Sequence, residues 1–309
     1  MPLMLKILSR TLASVAVIFG VTHALAAGIG ADAEKAVSTL ERIRDTGRIR
    51  IGYGDTAPFS YRLPDGQVVG YSIDLCRQVS ETLRKQLGLA SLQIDYVHRT
   101  PRNRVQLLND GIIDIECNAS TNTAERRRSA AFALSHFYAS TRYVSLTRHG
   151  LQTVDDLRGR SVSVALGTVN VGQINELNRD RALNLSVVPA DGLQAAFDLV
   201  EGGQVSAFAM DDVLLSAMIA ASRQPQDFSL SRELVAALQP YGFMMRLGDD
   251  PFKDAVNAAL AQIYRDPKMA DLYRRWFEEP IPPSNITLHQ PMSPRLQQAL
   301  AKPREETGI

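Results

Sequence analysis

The sequence is poor in cysteine and has no excess of charge of either sign. Its 309 residues include only two cysteines, Cys76 and Cys117, and their spacing matches no metal-binding motif. We therefore expect neither a metal nor another cofactor. The 34 basic residues are balanced by 33 acidic ones, so charge gives no support to binding of nucleic acid or of an anionic membrane. A hydrophobic content of 45% fits a globular protein of about two domains, with a small molecule as the expected partner.

Long apolar segments are also scarce, and the one that bears on a membrane lies near the amino terminus, at residues 12–21. It follows two basic residues and precedes Ala24-Leu25-Ala26. A basic start, a short apolar core and an Ala-x-Ala site are typical of a secretory signal peptide. A membrane anchor is the alternative, but the run is shorter than the ~20 residues that a spanning helix needs. We predict that residues 1–26 are a signal peptide, that cleavage follows Ala26, and that the mature protein is periplasmic.

Strands and helices alternate through the first half of the mature chain. Residues 48–53 and 92–97 have strand patterns, apolar residues recur at helical spacing between them, and residues 112–117 form a third apolar strand. This pattern predicts an open, mostly parallel sheet, in which ligands bind outside the carboxyl ends of the strands. Cys76, in the first turn of the intervening helix, and Cys117, at the end of the third strand, can be neighbours in such a sheet. Because export exposes thiols to oxidation, we predict a disulfide between them.

A second α/β series begins after a β-rich run at residues 142–146, and residues 241–245 form a strand that can return the chain to the first series. Two crossings of this kind predict two lobes joined by a hinge. We place lobe 1 at residues 38–143 plus 241–309 and lobe 2 at residues 144–240.

The loop after the third strand is the strongest candidate for a ligand-binding segment. Small and hydroxyl-bearing residues, including Ala119 and Thr121, follow that strand, and Thr123 is suited to cap a helix whose first turn contains Arg126. An arginine there presents a planar fork of donors that suits a carboxylate. The alternative is a surface loop whose arginine pairs with a nearby acid.

Four other positions carry alternatives of the same kind. Phe59 lies in a loop beside the predicted cleft and is either core filler or a cover for a ligand, and Arg104 is either a ligand contact or a solvated helical arginine. Gly167-Thr168 is either a simple tight turn or, with Val169, the start of a helix that holds an anion. Asp211 follows a short apolar strand, and one residue of an Asp-Asp pair commonly caps the following helix.

Taken together, the motifs resemble the amino-acid-binding proteins of bacterial ABC importers, and most closely their glutamate/aspartate receptor branch. The resemblance spans residues 38–283 and rests on an ordered set of segments: Ala57-Pro58-Phe59-Ser60-Tyr61, Gly70-Tyr71-Ser72-Ile73-Asp74, Asn103-Arg104, Ser120-Thr121-Asn122 with Arg126, Met210-Asp211-Asp212, Tyr241-Gly242 and the stretch from Trp276 to Pro283.

This resemblance implies the two-lobe periplasmic-binding-protein fold (type II) and a binding site for a free amino acid. Arg126, with Thr121 and the Thr168-Val169 backbone, would hold the α-carboxylate. Asp211, with the Ala119 carbonyl and the Thr121 hydroxyl, would hold the α-ammonium group. Two further ligand contacts carry over, Phe59 over the aliphatic part and Arg104 at the side chain.

The side-chain pocket departs from the acidic-ligand branch. That branch has an arginine, a serine, a histidine and a second serine where this chain has Gly54, Pro101, Leu193 and Ala119. A buried carboxylate with too few donors is costly. Glutamate, aspartate and amino acids with less polar or amide side chains therefore remain open as ligands.

The resemblance further implies a monomer that delivers its ligand to an ABC permease in the inner membrane and has no enzymatic activity. Two alternatives differ in class. One is a lyase built on the receptor fold, similar to cyclohexadienyl dehydratase, with Glu116 as a general acid; the other is a ligand sensor without transport. No base partner or nucleophile pair accompanies Glu116 in the sequence, and the five histidines are scattered.

Overall fold

The computed structural model describes residues 38–306, and the predicted signal peptide lies outside this range. The helices are α1 (Thr39–Thr46), α2 (Tyr71–Gln86), α3 (Arg104–Asn109), α4 (Asn170–Asp180), α5 (Leu193–Glu201), α6 (Asp212–Ala221), α7 (Asp250–Arg265), α8 (Lys268–Phe277) and α9 (Pro294–Ala301). The strands are β1 (Arg48–Tyr53), β2 (Tyr61–Arg62), β3 (Val68–Val69), β4 (Gln93–His98), β5 (Ile115–Glu116), β6 (Ala131–Phe132), β7 (Phe137–Leu146), β8 (Ser161–Ala165), β9 (Ser186–Ala190), β10 (Ala207–Asp211), β11 (Phe228–Leu230), β12 (Ala236–Tyr241) and β13 (Met244–Met245). Within the described range, no helix is both long and apolar enough to cross a membrane, and no cluster of His, Cys, Asp or Glu could hold a metal ion.

Two main sheets form the cores of two lobes. The first has the order β4-β1-β5-β13-β6, with β1 parallel to both β4 and β5 and with β13 antiparallel to its neighbours. The second has the order β11-β7-β10-β8-β9, with β12 also paired to β7. In it β8 is parallel to β9 and β10, and β7 is antiparallel to its partners. The predicted two-lobe α/β fold is confirmed. Each sheet has three neighbouring parallel strands on one side and antiparallel strands on the other.

Local sequence explains the boundaries of α1 and the start of α3. Ser38 and Glu41 form the reciprocal capping box at the start of α1, and the helix ends at Gly47 in the left-handed conformation that glycine adopts most readily. Helix α3 begins at Arg104, three residues after Pro101. The Asn103 side chain accepts a 2.8 Å hydrogen bond from the Thr100 backbone N–H, which closes a turn before the helix.

The chain crosses twice between the sheets, once between β6 and β7 and once between β12 and β13. These crossings run side by side: the His136 N–H donates to the Tyr241 carbonyl, and the Ala133 N–H donates to the Phe243 carbonyl. Two paired connecting segments of this kind are what a hinge requires. The residue bounds of the two lobes stay a prediction.

A disulfide joins the first sheet to its covering helix. Cys76 in α2 and Cys117, directly after β5, are bonded, with their Cα atoms 6.4 Å apart. Both residues are buried in the core. The bond therefore fixes the end of β5, from which the candidate binding loop departs.

Candidate ligand-binding site

Arg126 lies at the end of the loop that follows β5, where it starts a 3-10 helix, Arg126–Arg128. Its backbone N–H donates to the Thr123 hydroxyl at 3.2 Å, but the residue at the N-cap position is Glu125 and the turn is not α-helical, so the predicted helix capped by Thr123 is not found. The guanidinium donates to the Thr121 carbonyl at 3.0 Å and to the Gly167 carbonyl at 3.1 Å. Gly167 follows β8 in the other lobe, so Arg126 faces the space between the lobes.

Arg104 reaches the same carbonyl from the start of α3. Its guanidinium donates to the Ser120 hydroxyl at 3.1 Å and to the Gly167 carbonyl at 3.0 Å. Arg104 is only 5% exposed, which excludes a solvated helical arginine. Gly167 has φ +82°, and a Cβ atom there would lie 2.6 Å from the Pro101 backbone, so only glycine permits this close approach of the lobes.

Asp211 supplies the opposite charge from the second lobe. It ends β10, is buried, and accepts hydrogen bonds from the Asn170 amide at 2.9 Å and from the Tyr241 hydroxyl. Its neighbour Asp212 instead accepts from the backbone N–H groups of Val213 and Ser140. Of the two tandem acids, Asp211 is therefore the one that lies among the charged groups of the cleft.

The charged groups of the site act on one another electrostatically. Burial lowers the pKa of Arg126 to about 10, against the opposing effects of Asp211 and Glu116. Burial, with the positive charge of Arg126, holds the pKa of Arg104 well below its usual range. Burial raises the pKa of Asp211, while hydrogen bonds from Tyr241 and Asn170 act in the other direction. Each buried charge is thus partly uncompensated, as expected for groups that bind an ionic ligand.

The structure places the other predicted residues at different depths. Thr121 is buried and pairs through its backbone with Tyr241, whereas Ala119 is half-buried and its N–H donates to the Asn118 side chain. The Thr168 hydroxyl donates to the Ala165 carbonyl at 2.7 Å.

Val169 directly precedes α4, as the N-terminal anion-binding interpretation requires. Phe59 is completely buried and contacts five other rings, those of Tyr71, His136, Phe137, Tyr241 and Phe277. In this structure Phe59 is a core residue, and its role as a cover for the ligand stays a prediction.

Two residues near the charged groups of the cleft, Arg99 and Tyr241, are not among the ligand contacts predicted from the sequence. Arg99 directly follows β4 and forms a buried ion pair with Glu116 in β5. Tyr241 belongs to the predicted hinge strand and to the segments that carry the resemblance, but its hydroxyl also contacts Asp211. The rule that ligands bind at the carboxyl ends of parallel strands could have identified Arg99. No pattern in the sequence pairs Tyr241 with Asp211.

Two lobes that present a buried arginine, Arg104, a partly buried one, Arg126, and a buried carboxylate to the space between them define a solute receptor that binds a small ionic molecule. The model of the bacterial extracellular solute-binding proteins, family 3, matches residues 49–279. The chain belongs to this family.

Two bacterial relatives are similar over nearly the whole chain. The chain is 33% identical to the L-glutamate/L-aspartate-binding protein of Pseudomonas aeruginosa over 278 residues, covering 89% of this chain and 92% of the relative. It is 31% identical to the glutamate/aspartate import solute-binding protein of Escherichia coli over 287 residues, covering 92% and 95%.

Among solved structures, an ancestral amino-acid-binding protein described as a precursor of cyclohexadienyl dehydratase aligns with a TM-score of 0.66 at 24% identity, covering 77% of this chain and 99% of that one. At this identity the likeness supports the fold alone. The predicted receptor family and fold class are confirmed by these comparisons.

Proposed function

We propose that this protein binds a free acidic amino acid, glutamate or aspartate, between its two lobes and delivers it to an ABC permease of the inner membrane. Relatives at 31% and 33% identity carry glutamate and aspartate in their names, and one of them is an import protein. The buried charges of the cleft support the same ligand class on physical grounds.

The observation that carries the proposal is the placement of Arg126 and Asp211 on opposite lobes. Arg126 presents two guanidinium nitrogens that already bind carbonyl oxygens, so a ligand carboxylate can replace those acceptors with stronger, charge-assisted hydrogen bonds. Asp211 is a buried carboxylate suited to an ammonium group. Because one partner comes from each lobe, the ligand is held fully only when the lobes are closed, which gives the permease a shape to recognise.

Charge also favours an acidic ligand over a neutral one. Around Arg104, the interacting charges are Arg99 and Arg126, with Glu116 and Asp211 of opposite sign, so this inner group of five has a net charge of +1; the exposed Arg102, Asp55 and Asp191 at the cavity wall lie in water and are not counted. Glutamate and aspartate carry a net charge of −1 at neutral pH. Their binding neutralises the buried site, whereas a neutral amino acid leaves an uncompensated charge, which is costly in a low-dielectric environment.

We further propose that the mature chain starts after Ala26, acts in the periplasm as a monomer and catalyses no reaction on its ligand. Glu116, the acid that a lyase mechanism would use, is ion-paired with Arg99 and is not presented as a free acid. Incubation of ¹³C-labelled glutamate with the protein should return unchanged ligand by NMR, and a new product would contradict this part.

A thermal-shift panel of the twenty amino acids on the mature protein, followed by calorimetry, tests the ligand. Glutamate or aspartate at a hundredfold excess over Kd should raise Tm by roughly 5 to 10 °C with a 1:1 stoichiometry, because a ligand that binds only the folded form stabilises it by about 2.7 kcal/mol. If no amino acid raises Tm or gives a binding isotherm, the proposal is wrong.

A further inference from the structure

Arg99 is a buried arginine that forms an ion pair, has an unused hydrogen-bond donor and lines a cavity. It directly follows β4, and its side chain is 3% exposed. Its guanidinium pairs with Glu116, whose side chain is completely buried in β5. Removing two charges from water costs several kcal/mol per ion, so a pair of this kind is weak evidence for a purely stabilising role.

Gly54 makes the room that the Arg99 guanidinium occupies. A Cβ atom at position 54 would lie 3.0 Å from the Arg99 Nη1 atom and 2.7 Å from the Asn118 amide nitrogen. Even an alanine would force these groups to move. The glycine found here in place of a larger residue is therefore coupled to the arginine at position 99, which reaches the cleft from a different strand.

Donors and acceptors of the Arg99–Glu116 pair remain unused. The Arg99 Nε atom is buried and has no hydrogen-bond partner among residues 38–306, and the two Glu116 carboxylate oxygens have no hydrogen-bond donor there beyond the ion pair itself. A buried N–H without an acceptor destabilises the folded protein, because it has lost its hydrogen bond to water. An acceptor that arrives with a ligand would remove this cost.

Arg99 also lines an open space between the lobes. A cavity of about 460 Å³ is bounded by Arg99, Thr56 and Pro101 of the first lobe and by Leu166 and Leu193 of the second. This volume lies in the range typical of small-molecule sites.

Two acids, Asp55 and Asp191, line the same cavity. Both are exposed, and they contact His98 and Arg102, respectively. Arg99 is the buried cation on the cavity wall, so an anionic ligand group is the one that this wall favours.

We propose that Arg99, held in position by Glu116, binds the side-chain carboxylate of the ligand and thereby selects an acidic amino acid over its amide. The inference rests on the proposed function and adds the residue that determines specificity. Glu116 is a positioning residue, because it orients the guanidinium fork and leaves the Nε edge for the ligand. Arg126 remains available for the α-carboxylate, and Arg104, which also binds the Gly167 carbonyl, is a second contact for the side chain.

The test compares glutamate with glutamine by calorimetry. The wild-type protein should bind glutamate more tightly. The double variant Arg99→Met, Glu116→Gln removes the pair without leaving a buried charge alone. In this variant Kd for glutamate should rise on the order of 10- to 100-fold, the loss expected for hydrogen bonds to a charged group, while Kd for glutamine changes less than about threefold.

A matched control is the pair of Arg48 and Asp95, an ion pair between β1 and β4 in which Arg48 is exposed and Asp95 half-exposed, and which lies away from the cleft. Arg48→Met, Asp95→Asn should leave both Kd values unchanged. Arg99→Lys keeps the charge and the partner Glu116 but removes the fork. It should lower the preference for glutamate in part, and it decides the matter if the double variant does not fold.

The outcomes separate the two proposals. A wild-type protein that binds no amino acid overturns the proposed function. A wild-type protein that binds glutamine as tightly as glutamate, or variants at position 99 that keep the wild-type ratio of the two Kd values, overturn the role of Arg99 and leave the receptor function standing.

Discussion

The Tyr241 hydroxyl donates a hydrogen bond to the carboxylate of Asp211. Tyr241 ends β12, next to a crossing between the lobes, and Asp211 ends β10 in the second sheet. The bond therefore links the connecting segment of the hinge to the group that we assign to the ligand ammonium. Both residues are buried, so no solvent competes for it.

Tyr241→Phe should make amino-acid binding more sensitive to acid. Burial raises the pKa of Asp211 and the Tyr241 hydrogen bond opposes that rise, so removal of the hydroxyl raises the pKa further. Asp211 has to be ionised to bind an ammonium group, so affinity falls as pH decreases, and the fall should begin at a higher pH in the variant. Calorimetric titrations between pH 4 and 8 would measure it. Identical pH profiles for wild type and variant would exclude the coupling.

Arg126→Ala should abolish measurable amino-acid binding and leave the fold intact. Loss of the partner of a buried carboxylate costs ~2 to 5 kcal/mol, which corresponds to a factor of about 30 to several thousand in Kd. Arg128→Ala is the matched control, because Arg128 lies in the same 3-10 turn, is exposed and carries the same charge. Calorimetry on both variants checks the difference. Equal affinities would remove Arg126 from the site.

Replacing both cysteines by alanine should destabilise the protein by ~3 to 4 kcal/mol. The disulfide closes a loop with a sequence separation of 41, and its absence returns conformational entropy to the unfolded chain. Urea unfolding of the oxidised wild type and the double variant, each without ligand, measures the loss. A midpoint that does not change, with an unchanged slope, would contradict this expectation.

His136 should contribute to acid sensitivity of the fold. Burial lowers its pKa from 6.5 to about 3, so the folded protein keeps it neutral while the unfolded chain binds a proton below pH 6.5. Its contribution is present above pH 6.5 and is lost as pH falls toward 3, with a cost of about 2 kcal/mol at pH 5.

The variant His136→Gln retains a donor for the Asn118 carbonyl, which His136 contacts at 3.0 Å. The difference in unfolding free energy between pH 7 and pH 5 should shrink by about 2 kcal/mol in this variant. Phe243→Leu, which alters the ring stacked on His136, should lower stability equally at both pH values. If His136→Gln keeps the full pH difference, the imidazole is not its source.

The fold can be predicted from the sequence wherever a pattern within one helix or strand determines its structure. The strand at residues 48–53 is found as predicted, because alternation determines it within one element. The start of α3 at Arg104 is harder to predict, because the Asn103 side chain accepts a hydrogen bond from the Thr100 N–H and closes a turn just before the helix.

The residues of the candidate site also fall into two groups, those that the sequence predicts and those that only the folded structure brings together. Arg126 is a candidate because of its position in the loop after a strand, which is a local feature, and Asp211 is a candidate through the family resemblance; their roles stay predictions. Arg99 was missed because its burial depends on Glu116 from another strand and on the absence of a side chain at Gly54. Such three-residue arrangements exist only after the sheet has formed, and no spacing along the chain records them.

The convergence of Arg104 and Arg126 on the Gly167 carbonyl has a consequence for the movement of the lobes. Two guanidinium groups of the first lobe share one backbone oxygen of the second. A motion that carries Gly167 away from the first lobe breaks two charge-assisted hydrogen bonds at one point. The resistance to opening is therefore concentrated at a single backbone carbonyl, which belongs to a position that only glycine can occupy.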